Sequence, residues 1–180
     1  GNGVAAGLGK LGLFIPRRVV SALQNGMLYH PRTYHEDYYP SVEALNSLTQ
    51  GYGMKLQRFN YTMPGIPKWR GKLYGYLMIP VHGKVQHWWL LFGGNGMLAL
   101  DWLNFANSMA HEEQKLVHAS LDNNHQSTKD DNFMDYPPTS AFVLLDYPGY
   151  GGCCGRPSPD SILTQSIAAV KEIVRIGQEY

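Results

Sequence analysis

Two stretches of this chain pass abruptly from an apolar run into glycine: Leu90-Leu91-Phe92-Gly93-Gly94-Asn95-Gly96 and Val143-Leu144-Leu145-Asp146-Tyr147-Pro148-Gly149-Tyr150-Gly151. Each is followed by a helical pattern. A strand that ends in a side-chain-poor turn leaves bare backbone N–H groups at the C-terminal edge of a parallel sheet, where α/β proteins bind their ligands. Donors of that kind polarise a carbonyl or hold an anion. Two such turns in one chain predict a single binding or catalytic edge.

Other residue types that could do chemistry are less well placed. No Gly-x-Ser-x-Gly nucleophile turn occurs, and Ser108 and Ser140 lack the strained glycine turn that exposes a serine. Cys153 and Cys154 are adjacent, so a bridge between them would be strained, and they read as inert free thiols. That usage favours a reducing compartment. His111 and His118 lack the four-residue spacing of a zinc pair and read as solvated helix-face residues, which implies no metal. His30 and His35 have no evident partner. Gly149-x-Gly151-x-x-x-Gly155 invites a dinucleotide-binding reading, but Pro157-Ser158 restarts the chain before the helix, and no acidic residue follows at the required distance. No cofactor is implied. Trp88, Trp89 and Trp102 read as core residues.

The elements that must position the two turns can be traced along the 180 residues. Pro16 to Gln24 predicts a short helix with Pro first, and Met27 to Pro40, rich in Tyr, His and Pro, predicts an extended surface segment. Ser41 to Thr49 predicts a helix with Ala44, Leu45 and Leu48 on its inner face, ending near Gly51. Strands are expected at Lys55–Tyr61, Lys72–Ile79, His87–Phe92 and Ala141–Leu145, the last two apolar on both faces. Met97 to Ala119 predicts a helix with an inner stripe of Leu98, Trp102, Phe105, Met109 and Leu116. The polar run Asp122 to Pro138 reads as an irregular, mobile insertion. Ser158-Pro159 opens a last helix with Ile162, Ile167, Val170 and Val174 inward. The order β-β-β-α-β-α predicts antiparallel first strands leading into a parallel sheet with crossover helices. A lead segment over 1–53 precedes the sheet domain over 54–180.

Composition narrows the function classes. A net charge of +1 with 16% charged residues gives nothing that suggests a nucleic-acid partner or an acidic substrate, and 12% aromatic content is well above that of a disordered chain. No apolar run approaches the roughly 20 residues that span a bilayer. Gly1 to His35 carries Lys10, Arg17, Arg18 and Arg32 without one acidic residue. Such a lead reads as a transit or membrane-proximal segment of an intracellular, mitochondrial or membrane-associated protein, or else as a plain flank.

The motifs resemble those of α/β-hydrolases of the membrane-associated alpha/beta-hydrolase-domain type, over most of the chain from about residue 27. Phe92-Gly93-Gly94-Asn95-Gly96 is similar to that family's His-Gly-Asn turn, and the segment Asp146 to Ser158 resembles its Asp-Tyr-Arg-Gly-Tyr-Gly-x-Ser-x-Gly-x-Pro-Ser motif. Met27-Leu28-Tyr29-His30-Pro31 is like its Leu-Tyr-x-Pro segment. Gly93 stands where the family usually has His, and Cys153 where it usually has Ser. The resemblance implies an α/β-hydrolase-like fold truncated before the nucleophile strand. Asn95 N–H would be an oxyanion donor, Gly94 would allow close approach, and Gly93, Tyr147, Gly149, Tyr150 and Gly151 would form the pocket rim. It further implies a serine hydrolase of ester, thioester or amide bonds in lipid-like acyl substrates, its triad outside this chain. The rival reading is a catalytically inactive hydrolase-fold subunit or scaffold in a larger assembly.

In the hydrolase sheet, His87–Phe92 has Ala141–Leu145 on one side and the nucleophile strand on the other. These 180 residues alone are therefore expected to leave that second edge unpaired, open to the remainder of the domain or a partner chain. Two uncovered aromatic rings, about 150–250 Å² each at about 25 cal/mol per Å², forfeit several kcal/mol of a stability of about 5–15 kcal/mol. The isolated chain should aggregate or stay partly molten. A monodisperse monomer with one cooperative melt in calorimetry would contradict this.

Overall fold

The computed structural model describes residues 17–35, 42–63, 72–122 and 137–178. It is an α/β structure with one mixed four-stranded sheet. Strands β1 (Met54–Thr62) and β2 (Lys72–Pro80) pair antiparallel in continuous register from Met54 opposite Pro80 to Thr62 opposite Lys72. Strands β3 (His87–Phe92) and β4 (Ser140–Leu145) pair parallel, His87 opposite Ser140 and Phe92 opposite Leu145. β2 runs antiparallel to β4, so the order across the sheet is β1-β2-β4-β3. All four expected strands are found, each within a residue or so of its expected ends.

The helices are α1 (Arg17–Leu28), α2 (Val42–Gln50), α3 (Leu103–Asp122) and α4 (Pro159–Gly177), with a 3-10 turn at Ala99–Trp102 before α3. Sheet alternation sorts them into two layers. Ala141, Val143 and Leu145 of β4 meet Ala168, Ala169, Ile173 and Ile176 of α4. Phe142 and Leu144 point the other way, towards Leu100, Leu103, Ala106 and Ala110 and towards Leu45 of α2. α3 and α4 thus cover opposite faces, and every residue of β4 is buried. Among the described residues β3 pairs with β4 alone, and Trp88, Trp89 and Phe92 stay more than a third exposed. Between its free edge and α4 lies a cleft of about 430 Å³, lined by Trp88, Trp89, Leu90, Val170 and Val174 among others.

Several expected faces are wrong, because small or polar residues take many of the inward positions expected to hold large apolar ones. On α4 the inner side carries Gln165, Ala168, Ala169, Ile173 and Ile176, while Ile167, Val170 and Val174 are about half exposed or more. On α3, Ala106, Asn107, Ala110 and Gln114 are buried, whereas Phe105 and Leu116 point out. Alanines let a helix lie close on a sheet; Phe105 at those positions would hold it off. α2 buries Leu45 and Thr49, and leaves Leu48 exposed. Met97 and Leu98 precede the helical residues, because Met97 N–H closes a turn onto Gly94 O at 3.1 Å. α1 runs four residues past Gln24, to Leu28, its last turn closed by Tyr29 N–H on Asn25 O at 2.9 Å. Residues 29–35 follow without regular structure, as expected for that part of the Tyr-rich segment. Pro16, Ser41 and most of the expected insertion after Asp122 lie outside the described residues. The Ser158 cap of α4 is found: its Oγ accepts Ser161 N–H at 3.1 Å, and Ser161 Oγ accepts Ser158 N–H at 2.9 Å.

Gly75 tests this packing directly. It sits in β2 between Phe59 of β1 and Leu145 of β4, and a Cβ there would lie 2.6 Å from the Phe59 ring and 2.9 Å from Leu145 Cδ2. Gly75→Ala should therefore cost about 1–3 kcal/mol through overpacking, read as a lower urea midpoint. Shortening the opposing side chain as well, in Gly75→Ala/Phe59→Leu, should return part of the loss.

Candidate functional site

Because β3 and β4 are parallel and in register, Phe92 and Leu145 end side by side, and the two glycine turns leave the sheet at the same edge. They touch: Tyr147 O–H donates to Gly93 O at 2.6 Å, and the Tyr147 ring stacks on Phe92 at 6.5 Å between centroids. The chain reverses at Gly96 (φ +75°), Gly149 (φ +84°) and Gly151 (φ +57°), backbone that favours glycine. At Gly151 a side chain would also run into the Asp146 carboxylate and Tyr34. Gly93 and Gly94 have no such φ; a Cβ on either would press on Met97, at 3.1 and 3.3 Å.

Asp146 holds the edge together. Its buried carboxylate accepts Ala99 N–H and Tyr34 O–H, both at 2.8 Å. Its main-chain carbonyl accepts Gln165 Nε2 from α4, and Gln165 also donates to Tyr61 O–H at 2.7 Å. Burial outweighs these hydrogen bonds and lifts the Asp146 pKa to about 6. Burial also pushes up the Tyr34 and Tyr61 hydroxyls, so both stay protonated at any ordinary pH, Tyr34 donating to Asp146 and Tyr61 accepting from Gln165.

A strap formed by residues 29–35 crosses both turns. His30 N–H donates to Asn95 Oδ1 at 3.1 Å, and Arg32 Nη1 donates to Gly96 O at 2.8 Å and reaches Asp101 at 3.3 Å. Gly151 N–H donates to Arg32 O at 2.7 Å, and Tyr34 stands edge-on to Tyr76 at 6.1 Å. The main-chain N–H of Asn95 meets no acceptor among the described residues, and Asn95 itself is exposed.

The expected site residues therefore gather at one edge, with distinct environments. Asn95 and Gly94 are exposed, Gly93, Tyr147, Gly149 and Gly151 are half-buried, and Tyr150 is fully buried. Tyr150 packs edge-on against Tyr147 at 5.8 Å. Cys153 is buried and free: it accepts Tyr74 N–H at 3.2 Å, and burial raises its thiol to about 12, so it holds a loop and is no nucleophile. Ser140 is buried against Trp89, and Ser108 returns its hydroxyl to Asn104 O on the helix. His111 is half-buried against Tyr52, ring to ring at 5.8 Å, so it is more than a solvated helix-face residue. Among the described residues no cluster of His, Cys, Asp or Glu could hold a metal. No helix among them is long and apolar enough to cross a membrane.

Sequence reasoning missed Arg32, Tyr34 and Gln165. Gln165 is a polar residue turned inward on α4, and only the carbonyl of Asp146 explains it. Arg32 and Tyr34 act across more than sixty intervening residues, a pairing that no local pattern encodes. No family model, no curated protein and no solved structure matches the chain.

The Asp146 carboxyl makes a definite pH prediction. Its folded pKa of about 6 lies above the ordinary 3.8, so the folded state holds this proton more tightly than the unfolded chain. The contribution of this carboxyl to stability should be fully present below pH 4, fall through the window from pH 4 to 6, and be lost above, a change of about 3 kcal/mol. Asp146→Asn should abolish this component, so urea midpoints at pH 4.5 and 7 should converge in the variant relative to the parent.

Proposed function

We propose that this chain is the N-terminal part of a serine hydrolase with an α/β-hydrolase-like fold, cleaving ester, thioester or amide bonds of lipid-like acyl groups through an acyl-serine. The observation that carries the reading is the meeting of both glycine turns at one sheet edge, beside a strand that has no neighbour on its other side among the described residues. The layer arrangement supports it. α3 and α4 lie on opposite faces, and crossovers are right-handed, so a parallel strand reached from β4 through α4 lands on the free edge of β3. In the proposed enzyme that strand carries the nucleophile.

The chemistry assigned to this chain is electrostatic. Asn95 N–H, held on a turn whose neighbours are fixed by Asp146 and the strap, donates to the carbonyl oxygen as it becomes an oxyanion. Its partner donor would be the N–H that follows the nucleophile. Losing one such donor typically costs about 10²–10³ in turnover. Because the donor is main chain, the side chain may be exchanged at little cost to that bond; the Gly93 departure is tolerated for the same reason.

The test is labelling with a serine-directed fluorophosphonate. The longer protein containing these residues should be labelled at one serine outside them, in a Gly-x-Ser-x-Gly turn. Residues 1–180 alone should stay unlabelled and should not hydrolyse short acyl esters. Labelling of Ser108, Ser140 or any other serine of this chain would overturn the reading. An unreactive longer protein would favour the inactive subunit or scaffold.

A further inference from the structure

Four acceptors of the first glycine turn are taken. Met97 N–H donates to Gly94 O at 3.1 Å, Arg32 Nη1 to Gly96 O at 2.8 Å, and His30 N–H to Asn95 Oδ1 at 3.1 Å. The fourth, Gly93 O, takes the Tyr147 hydroxyl at 2.6 Å. Of these four bonds only the last ties one glycine turn to the other.

Peptide geometry converts the bonds into a direction. None of the described peptide bonds is cis, so the C=O and N–H of each unit point opposite ways. Gly94 O is turned to Met97, and Asn95 N–H, in the same peptide unit, points away from it. Which way that unit faces depends on the backbone just before it. Gly93 and Gly94 accept no Cβ without pressing on Met97, and a Gly-Gly pair rotates more freely than any other dipeptide. The Gly93–Gly94 unit is therefore a swivel, and the Tyr147 hydroxyl holds its oxygen. The Tyr147 ring is clamped in turn, stacked on Phe92 and edge-on to the buried Tyr150. We infer that Tyr147 is a positioning residue, whose hydroxyl fixes the first glycine turn so that Asn95 N–H is aimed at the developing oxyanion. The inference rests on the hydrolase reading and deepens it: Tyr147 does more than line the pocket rim. A swivelling donor still admits substrate but is less often aligned in the transition state, so its loss falls on kcat.

The test uses the longer protein containing these residues, with a p-nitrophenyl acyl ester as substrate and an alkyl boronic acid as transition-state mimic. Rates are counted per serine titrated with fluorophosphonate, so that unfolded protein does not enter. Tyr147→Phe keeps both ring contacts and removes only the hydroxyl. It should lower kcat about tenfold to thirtyfold, short of the cost of a donor lost outright, and leave KM within about twofold. Boronate affinity should fall by the same factor as kcat/KM. Tyr52 precedes β1, which runs in the same direction as β4, and so lies at the sheet end away from both turns. Tyr52→Phe should change none of these quantities. An unchanged kcat in Tyr147→Phe, a loss confined to KM, an unmoved boronate affinity, or an equal loss in Tyr52→Phe would overturn the assignment and leave the hydrolase reading standing. A parent protein that takes no label and cleaves no ester would sink the hydrolase reading, and the assignment with it.

Discussion

A single buried carboxylate ties the functional edge of this molecule together. Asp146 follows directly on β4, the central strand buried on both faces. One oxygen takes Ala99 N–H, at the start of the 3-10 turn that leads into α3. The other takes Tyr34 O–H from the strap, and the carbonyl takes Gln165 from α4. Three segments distant in the chain are thus fixed relative to one residue, and both glycine turns hang between them. The Gly151 turn passes so close to the carboxylate that no side chain fits there. Lost contacts at Asp146 would not stay local.

Strand positions were legible because each strand announces itself locally. β1 alternates apolar and polar residues, and β3 and β4 are short apolar runs ended by glycine. Helix positions were legible too, but helix faces were not. The usual rule assigns the largest apolar residues to the core; in α3 and α4 it selects Phe105, Leu116, Val170 and Val174, which lie outside. The sheet accepts Ala106, Ala110, Ala168 and Ala169 in their place, since close approach buries more backbone and neighbouring surface than one large side chain would.

The site shows a similar division. Glycines, Asn95 and Tyr147 stand in contiguous motifs, so their meeting at one edge could be foreseen from two strand ends. The parts that hold them are distributed. Arg32, Tyr34 and Gln165 reach the turns from the strap and from α4, and their roles follow from hydrogen bonds that exist only once the sheet is assembled. Cys153 is instructive in another way. The sequence reads it as an inert thiol despite its place in a site-like motif, and burial and its bond from Tyr74 show what it does instead, as a structural residue of the loop.

The polarity of the strap bears on what the edge can bind. His30 N–H, the Arg32 guanidinium and Tyr34 O–H are all donors, and they occupy the acceptors that the turns present: Asn95 Oδ1, Gly96 O, Asp101 and Asp146. The donors taken up in return include Gly151 N–H, on Arg32 O, and Leu100 N–H, on the Tyr34 hydroxyl oxygen. Acceptors are thereby occupied, while Asn95 N–H meets no acceptor among the described residues. That balance suits a group that gains negative charge, and it would repel none of the carbonyl substrates proposed here. Keeping Asp146 buried costs stability at neutral pH, as its raised pKa records. The same carboxylate fixes Ala99 N–H just after the first glycine turn, while His30 N–H fixes the Asn95 side chain within it. In the proposed hydrolase, a turn fixed in this way would have its main-chain donors in place before the ligand arrives.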